Sequence, residues 1–187
     1  MSLGPLMVDL EGTAISSIEK DLLLRSEVGG VILFTRNFES VEQITSLVED
    51  IHNLRSPRLL VAVDHEGGRV QRFHEGFSRI PAAAVYARIG KTDIDKSRAL
   101  AEKAGWLMAV ELRACGIDFS FAPVLDLAHG LSGVIGDRAF HSKPKTVATL
   151  AYAFMHGMNQ AGMQAVGKHF PGPGGVVEDS HVAMPVD

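Results

Sequence analysis

The chain has one cysteine, Cys115, among its 187 residues, so it cannot form a disulfide within itself. The small neighbours Ala114 and Gly116 favour a buried thiol rather than a reactive one. A chain without disulfides is typical of a reducing compartment. The amino terminus also lacks the basic region and the long apolar core of a secretory signal. We therefore expect a cytoplasmic protein.

Long apolar runs and an excess of one charge are also absent. No stretch reaches the ~18 uninterrupted apolar residues of a membrane-spanning helix. The 18 basic and 22 acidic residues give a net charge of −4, and no basic run follows the pattern of a phosphate-binding or membrane-binding surface. We expect neither nucleic acid nor a membrane as a partner. The hydrophobic content of 46% is sufficient for one sizeable core.

Five short apolar runs predict five strands. They are apolar at nearly every position, as in strands that are covered on both faces of a parallel sheet. The predicted strands are Leu6–Leu10, Val31–Phe34, Leu59–Val63, Asp118–Ala122 and a segment that begins at Ala165.

Periodic segments between these runs predict helices. The first carries Ile18, Leu22 and Val28 on one face and ends at Gly29-Gly30. A capping box, formed by Ser40 and Gln43, predicts a helix from about Ser40 to Asn53. Two further helices are predicted from Ile94 to Ala114, with Trp106 in the core, and from Pro144 to a stop at Gly162.

The segment from Gly67 to Pro81 shows little periodicity, and no hairpin signal is present. Alternating strands and helices predict a parallel sheet, and polar residues that follow the strands favour a (β/α) barrel. A doubly wound open sheet is the alternative. However, Asp9-Leu-Glu-Gly12 stands where its dinucleotide-binding glycines would be expected.

Candidate site residues lie where strands give way to loops. Asp64 follows the third strand, and Lys168 and His169 end the fifth. A glycine- and proline-rich loop then leads to Asp179 and His181, in which the aspartate can orient the histidine for proton exchange. The alternative for His181 is a solvated loop histidine without a catalytic role. For Lys168 two interpretations are equally compatible with the sequence: a ligand-binding group, or the ion-pair partner of a strand-end carboxylate such as Asp64 or Asp126.

Several motifs in series resemble family 3 glycoside hydrolases of the β-N-acetylhexosaminidase type, over nearly the whole chain from Gly4-Pro5-Leu6. Residues 1–3 are expected to be a leader outside the fold. The motifs are Leu33-Phe-Thr-Arg-Asn37, Val63-Asp-His-Glu-Gly-Gly-Arg-Val-Gln-Arg72, Phe121-Ala-Pro-Val-Leu-Asp126, Ile135-Gly-Asp-Arg138, Lys168-His-Phe-Pro-Gly172 and Asp179-Ser-His181. One departure is Pro173, where a histidine is common in the family.

The resemblance implies an eight-stranded (β/α) barrel, of which residues 1–187 cover about the first five strands. The missing carboxyl-terminal half is then a partner of this chain. The resemblance assigns His181, with Asp179, as the general acid/base. It also assigns five residues that hydrogen-bond the hydroxyls of N-acetylglucosamine, namely Asp64, Arg72, Arg138, Lys168 and His169. Taken singly, Arg72 and Arg138 would be surface charges.

The implied activity is retaining hydrolysis of terminal β-linked N-acetylglucosamine from muropeptides in peptidoglycan recycling, without metal or organic cofactor. The family's nucleophilic aspartate lies beyond Asp187, so the chain alone is expected to be inactive. One alternative is therefore a sugar-binding half-barrel. Another is a zinc site formed by His169, Asp179 and His181. Glu66, Asp126 and Asp137 are expected to be supporting groups or helix caps.

Overall fold

The computed structural model of the chain describes residues 3–177. Its strands are β1 (Leu6–Val8), β2 (Val28–Leu33), β3 (Leu60–Val63), β4 (His65–Gly67), β5 (Val70–Gln71) and β6 (Phe119–Ser120). Four of them form a parallel sheet in the order β1-β2-β3-β6. The parallel arrangement predicted from the apolar runs is confirmed.

The predicted fifth strand continues this sheet, but only as two isolated parallel bridges. Ala165 pairs with Ser120, and Lys168 pairs with Val124. The backbone N–H of Val166 donates to the carbonyl of Ala122 over 2.9 Å, and that of Lys168 donates to the carbonyl of Pro123 over 3.2 Å. These bonds place Lys168 at the same end of the sheet as the ends of β3 and β6.

The described helices are α1 (Ser17–Leu23), α2 (Val41–Asn53), α3 (Ala83–Gly90), α4 (Ile94–Ala114) and α5 (Pro144–Gln160). The predicted extents of α2, α4 and α5 are confirmed to within a few residues. At the start of α2 the Ser40 hydroxyl accepts from the backbone N–H of Gln43, as predicted. The Gln43 side chain instead accepts from the N–H of Glu39, so the capping box is only half formed.

The prediction for the first helix was wrong at its carboxyl end. Helix α1 ends at Leu23, and Val28, Gly29 and Gly30 belong to β2 instead. Close approach of neighbouring backbone explains the two glycines, since a β-carbon on Gly29 would meet the carbonyl of Gly4, and one on Gly30 would lie 2.8 Å from that of Leu60. Ile18 is exposed rather than packed on the sheet.

The segment from Gly67 to Pro81 is also more ordered than the sequence indicated. Strands β4 and β5 pair antiparallel, so the expectation of no hairpin was wrong, and α3 follows without having been predicted. The hairpin is too short for its residues to show a period of two. Gly67 and Gly68 have positive φ angles of 99° and 59°, which allow the chain to reverse there.

Helices α4 and α5 pack closely through glycines. A β-carbon on Gly105 of α4 or on Gly157 of α5 would collide with backbone carbonyl oxygens of the facing helix. The contact face of α4 is therefore lined with small residues, and Trp106 points away from it with 45% of its surface exposed. The prediction of Trp106 as a core residue was wrong, whereas Cys115 is buried as expected, and its burial raises the pKa of the thiol.

Candidate active site

Five polar side chains converge at the carboxyl ends of the parallel strands. Asp64 follows β3, and the hairpin that comes next carries Glu66 within β4 and Arg72 just after β5. Lys168 ends the fifth-strand segment, and Arg138 lies in a single 3₁₀ turn, Gly136–Arg138. Because strands of a parallel sheet all point the same way, residues that follow different strands meet at one edge.

Lys168 is the centre of this cluster. Its ammonium nitrogen lies 2.6 Å from Asp64 Oδ1 and 2.6 Å from Glu66 Oε1, and its side chain is largely buried. A buried cation is costly unless it is paired, and two carboxylates compensate it here. The ion pair with Asp64 that was one of the two alternatives for Lys168 is present, and it also directs the ammonium into the candidate site.

Glu66 connects Lys168 to Arg138. The guanidinium of Arg138 donates from Nε and Nη2 to the two oxygens of Glu66, over 2.9 and 2.8 Å. This bidentate bond raises the pKa of Arg138, against the opposing effect of burial. Only 6% of the Glu66 side chain is exposed, so its ion pairs with Arg138 and Lys168 are largely buried. From the sequence, Glu66 was expected only to be a supporting group. Its position two residues after Asp64, in the same motif, could have identified it as a member of the site.

Arg72 forms the more open side of the cluster. Its Nη2 lies 3.6 Å from Asp64 Oδ2, which is an ion pair rather than a hydrogen bond. Its guanidinium carbon also lies 5.6 Å from the centre of the Phe34 ring, within the range of a cation–π contact. Phe34 was not singled out from the sequence. Asp64 is thus flanked by Lys168 on one oxygen and by Arg72 on the other.

His169 forms a second polar unit, paired with Asp126. Its Nδ1 lies 2.6 Å from Asp126 Oδ2, and its backbone N–H donates to the same oxygen over 3.1 Å. Burial alone would raise the pKa of the Asp126 carboxyl, but the hydrogen bonds from His169 outweigh it, so that the pKa is lowered. His169 lines a cavity of about 210 Å³ together with the glycine-rich loop.

The remaining candidate residues are placed as follows. Asp137 pairs with Arg69 over 3.1 Å on the surface. Pro173 begins a 3₁₀ turn, Pro173–Gly175. Asp179 and His181 lie outside the described residues, so the acid/base assignment and the zinc alternative that includes both of them stay predictions.

The charges of this site suit a neutral ligand. Lys168, Arg72 and Arg138 face Asp64 and Glu66, and most of these groups already neutralise one another. A phosphate or polycarboxylate ligand would be expected to meet cations without carboxylate partners. A polyol suits this mixture because each hydroxyl both donates and accepts a hydrogen bond.

Parallel strands alternating with helices, and a polar cluster at their carboxyl ends, define an α/β chain of the barrel type. Residues 5–187 match the glycosyl hydrolase family 3 N-terminal domain. The chain therefore belongs to glycosyl hydrolase family 3, and its sheet and helices form part of a TIM-type barrel, about the first five strands.

Curated relatives agree with this family. The chain is 67% identical over 187 residues to a β-hexosaminidase of Thioalkalivibrio sulfidiphilus and 61% identical over 187 residues to one of Alkalilimnicola ehrlichii. All of this chain is covered in both comparisons, but only 54% of each relative. The chain thus spans about half the length of the curated relatives it matches.

Solved structures agree as well. NagZ from Neisseria gonorrhoeae is 48% identical, with a TM-score of 0.96, and the match covers 100% of this chain and 55% of that one. The same enzyme in complex with N-trifluoroacetyl-D-glucosamine gives a TM-score of 0.97, and the match covers 100% of this chain and 56% of that one.

Among residues 3–177, no helix has the length and apolar character needed to cross a membrane.

Proposed function

We propose that this chain is the amino-terminal part of a retaining β-N-acetylglucosaminidase that removes terminal β-linked N-acetylglucosamine. The observation that carries this proposal is the network in which Lys168 joins Asp64 to Glu66 at the carboxyl ends of the strands. It supplies a partly exposed carboxylate flanked by cations, which is a suitable acceptor and donor set for adjacent sugar hydroxyls.

In this proposal Asp64 accepts hydrogen bonds from two hydroxyls of the sugar, and Arg72, Lys168 and Arg138 donate to hydroxyl oxygens. The ammonium of Lys168 has three donors; it donates a hydrogen bond to Asp64 and forms an ion pair with Glu66, so at least one donor is available for a ligand. His169 offers its Nε2, since its Nδ1 is engaged by Asp126. These contacts fix the orientation of the terminal sugar relative to the catalytic groups.

The proposed reaction is a two-step displacement. His181, oriented by Asp179, protonates the leaving oxygen while an aspartate of the remaining barrel attacks the anomeric carbon. The same histidine then removes a proton from water, which releases the sugar. Proton transfer and a carboxylate nucleophile supply all of this chemistry, so the proposal requires neither metal nor organic cofactor.

We further propose muropeptides of cytoplasmic peptidoglycan recycling as the substrates. The sugar class is supported by the N-trifluoroacetyl-D-glucosamine complex of the Neisseria gonorrhoeae relative. The aglycone and the compartment rest on the family resemblance and on the absence of a disulfide within the chain.

A surface feature supports assigning the chain to the first part of a longer barrel. An apolar groove of about 540 Å³ lies between α5 and the fifth-strand segment, and residues such as Leu125, Val147 and Met155 line it. In a parallel barrel the next strand and helix would cover this position. A second candidate function follows if nothing covers it: a sugar-binding half-barrel that keeps Asp64 and Lys168 but hydrolyses nothing.

Hydrolysis of 4-nitrophenyl N-acetyl-β-glucosaminide tests the proposal, with the 187-residue chain and the full-length protein assayed side by side. We expect only the full-length protein to hydrolyse this substrate, and a chelator should not reduce its rate of hydrolysis. The corresponding β-glucoside, which lacks the acetamido group, is the matched control substrate and should react much more slowly.

Other outcomes separate the alternatives. Sugar binding without turnover in both proteins would favour the binding module, loss of activity with the chelator would favour the zinc alternative, and activity of the 187-residue chain would refute the need for a second half.

A further inference from the structure

The pair formed by Asp126 and His169 has an unusual arrangement of hydrogen bonds. The ring Nδ1 of His169 lies 2.6 Å from Asp126 Oδ2, and the backbone N–H of His169 donates to the same oxygen. Asp126 Oδ1 is buried and has no hydrogen-bond partner among the described residues. The Asp126 side chain is 0% exposed, so this oxygen has no solvent contact either.

A carboxylate is a costly choice for this position if its role is structural. Burying a charge with one oxygen unsatisfied is unfavourable, and an asparagine could accept the same backbone N–H without bringing a charge. The ion is nevertheless retained, since the pKa of the Asp126 carboxyl is lowered through its bonds to His169. Departures of this kind from ordinary core chemistry are expected at functional positions.

The neighbouring glycine-rich loop lies close to Oδ1. A β-carbon on Gly172 would lie 2.3 Å from Asp126 Oδ1, and one on Gly174 would lie 3.5 Å from Asp126 Cβ. The glycine-rich loop therefore lies directly on the carboxylate. His169 is left as the group through which Asp126 acts on the cavity, because the imidazole is 35% exposed while the carboxylate is not.

We propose that Asp126 is a positioning residue for sugar binding, which holds His169 as the Nδ1-protonated tautomer and so presents Nε2 to the cavity as an acceptor for a sugar hydroxyl. This inference rests on the proposed function. An imidazole with one nitrogen bonded to a buried carboxylate has both its tautomer and its ring orientation fixed. Without Asp126, the His169 ring would sample both tautomers and several rotamers. Binding a sugar hydroxyl would then cost the conformational entropy of ordering the ring, which lowers the affinity.

A second histidine–aspartate pair supplies the matched control. His52 Nε2 lies 3.0 Å from Asp118 Oδ2, and both side chains are largely buried. Asp118 precedes β6, at the amino end of the sheet, whereas Asp126 follows β6 at the carboxyl end. Asp118 also pairs with Arg58 over 2.6 Å, so Asp118→Asn removes a buried charge from a histidine–aspartate pair and breaks a second ion pair, on the side of the sheet opposite the candidate site.

The test compares wild type, Asp126→Asn and Asp118→Asn in the full-length protein. Calorimetry with N-acetylglucosamine measures affinity, thermal melting measures stability, and ¹⁵N spectra of the histidine rings at mildly alkaline pH report the tautomer, with His169→Gln identifying the His169 signals. We expect Nδ1-protonated His169 in wild type and about a tenfold loss of sugar affinity in Asp126→Asn. Asp118→Asn should lose stability but keep its affinity.

Three results would overturn the inference: an Nε2-protonated His169 in wild type, unchanged affinity in Asp126→Asn, or an affinity loss in both variants that follows their stability. A wild-type protein that neither binds nor hydrolyses the sugar would overturn the proposed function instead. The ring spectra would then decide the positioning role of Asp126 separately.

Discussion

The Lys168 ammonium lies 2.6 Å from Asp64 Oδ1, although 104 residues separate the two along the chain. Only the parallel sheet brings them together, because each residue follows a different strand at the same edge. The pair is therefore both a product of the fold and the centre of the candidate sugar site.

Replacing Glu66 with glutamine should strongly destabilise the protein. The change removes the negative charge that compensates Lys168 and Arg138, both of which are largely buried. Breaking a buried ion pair on one side costs about 3–5 kcal/mol in free energy of unfolding, measured by denaturant titration. Asp137→Asn is the control, because its exposed pair with Arg69 should contribute only about 0–1 kcal/mol. Similar losses of unfolding free energy in Glu66→Gln and Asp137→Asn would contradict the conclusion that Glu66 compensates the buried charges of Lys168 and Arg138.

Replacing Asp64 with asparagine should weaken sugar binding more than it lowers stability. Asp64 is the most exposed carboxylate of the network, and the amide would present a donor where the proposal needs an acceptor. We expect a loss of about tenfold or more in affinity for N-acetylglucosamine, measured by calorimetry. Asp95→Asn, which removes an exposed carboxylate paired with Arg98 at the start of α4, should leave the affinity unchanged. Equal affinities for wild type and Asp64→Asn would exclude Asp64 from the sugar site.

Acid should destabilise the protein through His65. Burial, with contributions from His74 and Arg72, lowers the pKa of His65 from 6.5 to about 3. The unfolded chain therefore binds this proton at a higher pH than the folded one does. Stability contributed by the neutral ring is fully present above about pH 6.5 and is lost as the pH falls toward 3, by at most about 1.4 kcal/mol per pH unit.

His65→Phe tests this pH dependence, since the ring already packs near Phe73 and Phe77. Denaturant titrations at a series of acidic pH values should show that the free energy of unfolding falls less steeply with decreasing pH in the variant than in wild type. The control is His129→Gln, because His129 is exposed and has no carboxylate partner among residues 3–177; this change should leave the slope of stability against pH unchanged. Parallel curves for wild type and His65→Phe would show that another group causes the acid sensitivity.

The 187-residue chain by itself should associate or melt at a lower temperature than the full-length protein. The apolar groove beside α5 and the open edge of the fifth-strand segment both expose surfaces that favour association. Size-exclusion chromatography with light scattering measures this, and Met155→Lys at the groove should reduce the association. A monomer that melts cooperatively at the temperature of the full-length protein would show that the groove needs no cover.

The role of His181 can be tested by comparing leaving groups in the full-length protein. Without an acid catalyst, a good leaving group such as an activated phenolate still departs, whereas an alkoxide does not. His181→Ala should therefore reduce turnover of substrates with poor leaving groups far more than that of substrates with good ones. Asp179→Ala should show the same pattern more weakly, because the imidazole remains. Equal losses for both substrate types, or rescue by added metal, would remove His181 from the acid/base role.

The sequence by itself determined the order of the main elements. Short, fully apolar runs are typical of strands covered on both faces, so β2 and β3 were recognisable, and the caps and apolar spacing of α2, α4 and α5 located those helices. The motif residues Asp64, Lys168 and His169 were also identifiable as candidates, because they lie in segments that resemble the family and stand where apolar strands end, the face on which barrel enzymes carry their sites.

Only the tertiary structure decided how those residues work together. Gly29 and Gly30 resemble a helix end locally, yet contact with neighbouring strands makes them part of β2. The motif placed Glu66 beside Asp64 as a supporting group, but only the fold shows that its carboxylate pairs with both Arg138 and Lys168. Burial and ion pairing depend on residues that are distant in the chain, whereas the local sequence specifies only secondary-structure propensity and the periodicity of apolar residues.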